Sequence, residues 1–370
     1  MLLLYIIIPL FILYSLLLFY YGRAWNNVPD YTPQHTATTR VSIIIPARNE
    51  EKHIAVLLNA LFKQSYPAGL TEIIVIDDHS TDQTASVVQS FPPAKLVQLN
   101  AGSLNSYKKK AIETGIAAAN GDLIITTDAD CIPGPEWISH MASFYEEKKA
   151  VFIAAPVVFS HNNSLLQVFQ ALDFLVLQGI TAAAVHSRSM SMCNGANMAY
   201  EKKAFYTVDG FKDIDQIASG DDMLLMHKIR KQFPEDVYYI KSKAAIMTTA
   251  PMLSWRSFLN QRIRWASKAR SYSDKRIFVV LLLVYLFNLS MAVSLVAGFT
   301  DSRYWLVFAA AWIGKTLVEL PFVYRVASFY NEGSLVNWFF LFQPLHIFYT
   351  LISGLLGQFG SYEWKGRKVK

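Results

Sequence analysis

The sequence predicts an α/β domain, Rossmann-like with a mainly parallel mixed sheet, held between N- and C-terminal transmembrane helices. Three observations predict it. An uncharged apolar run occupies residues 2–21, short β-branched runs alternate with helix-like stretches from Val41, and three apolar segments follow at about 277–299, 304–327 and 335–357. At 370 residues the chain has room for one substantial domain besides these segments.

The composition agrees. Hydrophobic residues make up 53% and charged residues 17%, with a mean hydropathy of +0.25, too apolar for an ordinary soluble protein. A formal charge of +6 and a pI near 9.0 fit an anionic membrane surface or a phosphorylated ligand. Nucleic acid is not expected as a partner, because the basic residues follow the membrane flanks and form no recognition module. Two cysteines, Cys131 and Cys193, exclude a disulfide framework, and neither has a CxxC partner.

Taken in order, residues 2–21 are long enough to cross a bilayer as a helix. They lack a basic leading region and a small-residue cleavage site before Arg23, so residues 1–22 read as a retained anchor rather than a signal peptide. Residues 23–40 are polar and turn-rich (Asn26-Asn27, Pro29-Asp30, Pro33) and read as a linker. Over residues 41–253 the β-branched runs Val41–Ile45, Ile73–Ile76 and Leu123–Thr127 alternate with helical stretches Glu51–Gln64, Asp82–Gln89 and Lys108–Ala119. That alternation predicts βαβ units with right-handed crossovers. Leu165–Val185 could mimic a membrane span, but it carries Asp173 and the glutamines Gln167, Gln170 and Gln178. A helix packed on the sheet or lying at the membrane surface is expected there.

Residues 254–274 read as a basic amphipathic helix in the headgroup plane, with Trp255, Phe258, Leu259 and Ile263 toward one side and Arg256, Lys268 and Arg270 elsewhere. Residues 275–370 hold the three apolar segments and the basic tail Lys365–Lys370. In the second segment Lys315 and Glu319 share a helix face. Charge is costly in lipid, so they face other helices or water, as a structural pair or on a substrate path. Basic flanks favour the 41–253 domain in the cytoplasm. Three later crossings would then put the tail outside, against the same rule. Gln343, Pro344 and His346 interrupt the last segment, which leaves an interfacial or re-entrant course open.

Ligands of open parallel sheets collect beyond the carboxyl ends of the strands. Asp77-Asp78 and Asp128-Ala129-Asp130 each follow directly on such a strand. Extended alternation would turn Asp128 and Asp130 to one side, where hard carboxylate oxygens suit Mg²⁺ or Mn²⁺ on phosphates. One of Asp77 and Asp78 can cap the turn before Ser80-Thr81-Asp82, while the other can bond a nucleotide base or ribose. Lys108 opens a helix and is expected to meet phosphate. Asp222, behind Gly220-Asp221, starts a helix over Asp222–Lys231, whose dipole favours an ionised carboxylate. Gln261-Arg262-Ile263-Arg264-Trp265 combines an amide, a planar fork suited to phosphate oxygens and an aromatic platform for a sugar or apolar acceptor.

These signatures, in this order, resemble the family 2 glycosyltransferases, the inverting, membrane-bound type with a GT-A catalytic domain. The resemblance runs from Val41 to about Ser273, some two thirds of the chain. It implies that the stretch Val41–Glu51 cradles the nucleotide, with Pro46, Arg48 and Glu50 in contact, and that Asp77, Asp78, Lys108 and Asp128 bind the nucleotide-sugar. It further implies a divalent metal on Asp130 with Asp128, and Asp222 as the base. Asn194, Gly195, Asp221, Gln261, Arg262, Arg264 and Trp265 would serve the acceptor and pyrophosphate. Asp221 stands where relatives more often have glutamate, and Tyr107 where many have glycine. The implied reaction moves a sugar, with inversion, from a nucleotide-sugar (UDP-sugar favoured) to a lipid or lipid-linked acceptor at the plasma or inner membrane. Processive polysaccharide synthesis and a non-catalytic nucleotide-sugar-binding scaffold are the alternatives. The small number of apolar segments favours single transfer to a lipid.

Overall fold

The structure, a computed structural model, describes residues 3–100, 106–162, 164–217, 219–268, 274–359, 362–364 and 367–369. Arg270, Lys365, Gly366 and Lys370, read above as parts of the amphipathic helix and the basic tail, lie outside these residues.

The elements begin with α1 (Leu4–Asn27), β1 (Val41–Ala47), α2 (Ile54–Phe62), β2 (Thr71–Asp77), α3 (Thr84–Gln89), β3 (Ala94–Gln98), α4 (Tyr107–Ala118) and β4 (Leu123–Thr126). Next come β5 (Ile132–Pro133), α5 (Trp137–Lys148), β6 (Phe152–Ala154), β7 (Val157–Phe159), α6 (Leu165–His186), β8 (Met198–Glu201) and α7 (Lys202–Thr207). The chain continues through α8 (Met223–Gln232), β9 (Val237–Tyr239), β10 (Met247–Thr249), α9 (Trp255–Ser267), α10 (Lys275–Ala297) and α11 (Arg303–Phe329). It closes with α12 (Phe339–Phe359), β11 (Tyr362–Trp364) and β12 (Arg367–Val369). Two compact units result, one from residues 28–160 and 191–250, the other from residues 1–27, 161–190 and 251–370.

The first unit holds a seven-stranded sheet in the order β3-β2-β1-β4-β8-β6-β9. Strands β3, β2, β1 and β4 run parallel, β8 runs antiparallel to β4 and β6, and β9 returns parallel to β6. Strand β1 is central because Val41, Ile43, Ile44 and Ile45 are all 1% exposed or less, which needs cover on both faces. Each such side chain contributes about 1.5–3 kcal/mol by leaving water. Helix α4 lies on β1 so closely that a Cβ on Gly115 would stand 2.5 Å from Ile44 Cγ2. A small second sheet, β5-β10-β7, completes the unit.

One strand was not expected, and two local expectations change. Strand β3 carries no clean apolar alternation, because it is a half-exposed edge strand with Lys95 and Gln98 turned outward. Strand β4 stops at Thr126, where its pairing with Met198 of β8 ends, and the Thr127 amide turns to Ile44 O at 3.3 Å. Asp128–Asp130 therefore sits in a turn, closed by the Cys131 amide on Asp128 O at 3.2 Å, and the turn rather than strand alternation sets its carboxylates. Helix α3 starts at Thr84 rather than Asp82, since Asp82 Oδ1 accepts from the Thr84 amide at 3.0 Å.

Among the described residues, the second unit has five helical stretches long and apolar enough to cross a membrane: α1, α6, α10, α11 and residues Gly333–Gln358, which lead through a 3₁₀ turn into α12. Helix α1 runs past the expected anchor because Trp25, 2% exposed, packs edge-on against Phe329 with ring centroids 5.6 Å apart. Helix α6 corrects the expectation for Leu165–Val185. It packs against α1 and α11, and 83% of its apolar window is buried, against 22–28% for the other four. A helix apolar nearly all round must be enclosed. Its polar groups are met internally: the Gln170 amide brackets the Met252 backbone, donating to its carbonyl and accepting from its amide, both at 2.9 Å. Gly179 permits the close crossing, since a Cβ there would stand 2.4 Å from Val326 Cγ2.

Lys315 and Glu319 belong to one hydrogen-bonded cluster. Lys315 Nζ lies 2.8 Å from Glu319 Oε1 and 2.6 Å from Gln343 Oε1. Gln343 Nε2 donates to Glu319 Oε2, and the Tyr14 hydroxyl donates to Glu319 Oε1. Charge at apolar depth is thus paired and hydrogen-bonded across α1, α11 and α12, as its cost requires.

Candidate active site

Parallel β1, β2 and β4 end together, and the predicted residues of the first unit gather beyond those ends. In the register, Ala47 of β1 faces Asp77 of β2, with Pro46 opposite Ile76. Asp77 Oδ1 accepts from the Ser80 amide at 3.3 Å, so this aspartate closes the turn. Asp78 is buried, and the His79 ring lies 3.0 Å from its Oδ1. Arg48 Nη1 donates to Asp78 O at 2.8 Å and to His79 O at 3.2 Å, bridging the two loops. Both loops turn through left-handed residues, Asn49 at φ 52° and His79 at φ 54°. The Asn49 side chain compensates by accepting from the Thr81 amide at 2.8 Å. The Glu50 amide donates to Thr84 Oγ1 at 2.7 Å, and its carboxylate meets His53 Nδ1 at 2.9 Å.

The charged centre is built from three segments. Lys108, on the first turn of α4, places Nζ 2.7 Å from Asp128 Oδ1 and 3.1 Å from Asp221 Oδ2. Burial alone would lower the lysine's pKa, but Asp128 foremost and then Asp221 hold it well above the ordinary lysine range. Asp222 caps α8, accepting from the Met223 amide at 2.7 Å on Oδ1 and from the Gly195 amide at 3.1 Å on Oδ2. A Cβ on Gly195 would lie 3.3 Å from both Asp221 Oδ2 and Lys108 Nζ, so the 194–197 turn touches the same cluster. Gly220, at φ +81°, makes the turn that presents the two aspartates. Beside Asp130, burial and the charges of Asp128 and Asp130 push the Cys131 thiol up, which keeps it neutral.

Several supports were not foreseen as such. Asn197 is fully buried, accepts from Trp137 Nε1 at 2.9 Å, and donates to Pro156 O at 2.7 Å and Ala245 O at 2.8 Å. Thr127 Oγ1 donates to Ala196 O at 2.9 Å, joining the Asp128 turn to the turn of Asn194 and Gly195. Lys109 is buried and donates to Ile214 O at 2.6 Å and Ser219 O at 3.2 Å, which fixes the loop before Gly220. The only sequence signal for these was their place next to the motifs.

Among the described residues no group of three or more His, Cys, Asp or Glu is arranged to hold a metal ion. Asp128 and Asp130 supply hard oxygens only, from one short turn, and such a set suits Mg²⁺ or Mn²⁺ when phosphate oxygens complete the shell. The donor chemistry fits a cation shared with a diphosphate rather than an all-protein cage.

The Gln261–Trp265 residues belong to the other unit, on α9. Helix α9 opens on a Ser254–Ser257 capping box. Gln261, Arg264 and Trp265 are half-buried, while Arg262 is 3% exposed and ion-paired with Asp173 at 2.8 Å. Its guanidinium lies over the Trp265 ring, 4.3 Å from the centroid.

The seven-stranded mixed sheet, with carboxylates beyond the ends of its parallel strands, is a GT-A-like fold. The solved mannosyltransferase of Pyrobaculum calidifontis, in complex with GDP-Man and Mn²⁺, has this fold too: TM-score 0.62, 20% identity, covering 93% of this chain and 99% of that one. Residues 42–208 match the model of glycosyl transferase family 2, and this stretch is a domain of that family. The probable glycosyltransferase YdaM of Bacillus subtilis (strain 168) is 27% identical over 254 residues, 65% of this chain and 58% of that protein. The beta-monoglucosyldiacylglycerol synthase of Nostoc sp. (strain PCC 7120) is 26% identical over 235 residues, 61% of this chain and 48% of that protein. The chain thus matches about half the length of these curated relatives.

Proposed function

We propose that the chain is a membrane-bound, inverting glycosyltransferase that moves a sugar from a nucleotide-sugar, with UDP-sugar as the expected donor, to a lipid or lipid-linked acceptor. The observation that carries this reading is the cluster of Lys108, Asp128, Asp221 and Asp222 beyond the strand ends, with Asp222 held by two backbone amides. The beta-monoglucosyldiacylglycerol synthase supports a glycolipid product, and five apolar helical stretches support a multi-pass membrane protein. We assign the 28–160 and 191–250 unit to the cytoplasmic side of the plasma or inner membrane.

In the proposed reaction Asp222 accepts the proton of the acceptor hydroxyl as the new bond forms at the anomeric carbon. Its two amide donors fix the direction from which it acts. Lys108 sets positive charge beside the leaving diphosphate. Pro46, Arg48, Glu50, Asp77 and Asp78 hold the nucleoside. Asn194, Gly195 and Asp221 serve the acceptor and pyrophosphate; for Gln261, Arg264 and Trp265 the same role rests on the resemblance of their motif alone. Asp128 and Asp130 would hold Mg²⁺ or Mn²⁺, which when bound offsets charge on the diphosphate.

The test is release of nucleoside diphosphate by the purified, detergent-solubilised protein. It is given a panel of UDP- and GDP-sugars and membrane lipid, with Mn²⁺ or EDTA, and products are read by mass spectrometry. Metal-dependent release with a new glycolipid supports the reading. A polymer ladder would replace it with processive synthesis, and UDP binding without turnover on any donor would replace it with a scaffold.

A further inference from the structure

We propose that Asp173 is the positioning residue for the Gln261–Trp265 helix, and that Arg262 acts through it rather than on a ligand. The functional half of this inference rests on the transferase reading above; the structural half does not.

Asp173, the one carboxylate of the largely apolar helix α6, lies near its middle with its side chain 4% exposed. A carboxylate in such a place needs partners, and here they come from two other helices. Arg262 of α9 lies at 2.8 Å from Oδ2, with its own side chain 3% exposed. The Tyr349 hydroxyl of α12 donates to Oδ1 at 2.6 Å, and His346 Nε2 of α12 lies 3.7 Å from the same oxygen. One acid therefore ties three helices together.

The arginine passes this constraint to the motif. Its guanidinium lies between Phe258, 5.0 Å from the centroid, and Trp265, 4.3 Å from the centroid. Phe174, next to Asp173, adds a ring contact to Trp265 at 6.1 Å. Residues 258, 262 and 265 follow the i, i+4, i+7 spacing of one helix face, so a single ion pair sets how α9 is rolled. Arg264 is two residues from Arg262, about 200° around the axis at 3.6 residues per turn, and is turned to the other face whenever Arg262 is pinned inward. Arg262 has no exposed donor for a phosphate; Arg264, half-buried, makes no ion pair among the described residues.

The experiment uses the full-length protein in detergent and four variants: Asp173→Asn, Asp173→Asn with Arg262→Gln, Arg262→Lys, and the milder Tyr349→Phe. Trp265 emission, taken as the difference from each variant in a Trp265→Phe background, reads the arginine–indole stacking without any need for activity. UDP affinity and transfer kinetics are measured alongside. Asp173→Asn should shift Trp265 emission, leave UDP affinity within about twofold, and lower turnover by about 100-fold, the order expected of a displaced catalytic element. Arg262→Lys should keep the charge and lose the stacking, with an intermediate loss. Tyr349→Phe, which leaves the ion pair intact, should change turnover least, and it decides the case if Asp173→Asn fails to fold. Unchanged Trp265 emission and turnover in Asp173→Asn overturns the proposal, as does a Tyr349→Phe loss as large as that of Arg262→Lys. An emission shift in Asp173→Asn, with the parent protein inactive on every donor, would sustain the positioning and remove the transferase reading instead.

Discussion

Lys108 Nζ lies 2.7 Å from Asp128 Oδ1, joining the first turn of α4 to the loop after β4. The same nitrogen reaches Asp221 Oδ2 at 3.1 Å, so one ammonium gathers acids from two other segments. With its pKa held above the ordinary lysine range by Asp128 and Asp221, this group stays charged across the neutral and mildly alkaline range. The sign follows: a lysine raised above its unfolded value of about 10.4 contributes stability fully present below that pH, lost only as pH climbs through the folded value.

Acylation at pH 9 should therefore spare Lys108 and modify Lys110, whose side chain is 48% exposed. Peptide mass spectrometry after brief treatment with an amine-reactive ester checks this. Equal labelling of the two would mean that the Lys108 ion pairs are not held.

Asp130→Ala should abolish the gain in donor affinity on adding Mn²⁺, since half of the proposed carboxylate pair is gone. Titration calorimetry with and without the ion measures it. A variant whose donor affinity still rises with Mn²⁺ would move the cation away from this turn.

Asn197→Ala removes hydrogen bonds to Trp137, Pro156 and Ala245 at once and leaves buried partners unsatisfied. The expected loss is about 3 kcal/mol, from the net worth of such bonds and the cost of orphaned groups. Thermal unfolding in detergent reads the shift.

Gly179→Ala should cost about 1–3 kcal/mol through overpacking between α6 and α11. Val326→Ala in the same chain should return part of it, because Val326 is the nearest obstacle to the new methyl. A neutral single substitution would contradict the close crossing of the two helices.

The β-branched runs at Val41, Ile73 and Leu123 were legible because central parallel strands are apolar on both faces, and the acids after them inherit their place from the strand ends. Strand β3 was not, since an edge strand with Lys95 and Gln98 has no such signature. The turn at Asp128–Asp130 was misread as extended because chain pairing ends at Thr126, which only the partner strand reveals. Asp173 was visible as an anomaly in an apolar run, but its partners Arg262 and Tyr349 stand 89 and 176 positions away. Pairings at that distance are a property of tertiary packing and leave no local trace.

The most direct test of the proposed chemistry is Asp222→Asn, measured for donor binding and for transfer on the same preparation. Asparagine caps a helix as well as aspartate does, so α8 should be kept. The expected result is nucleotide-sugar affinity within about twofold of the parent and transfer reduced by about 10²–10⁴-fold, the usual worth of a general base. Transfer at the parental rate with intact binding would show that Asp222 is not the base and that the cluster around Lys108 serves another chemistry.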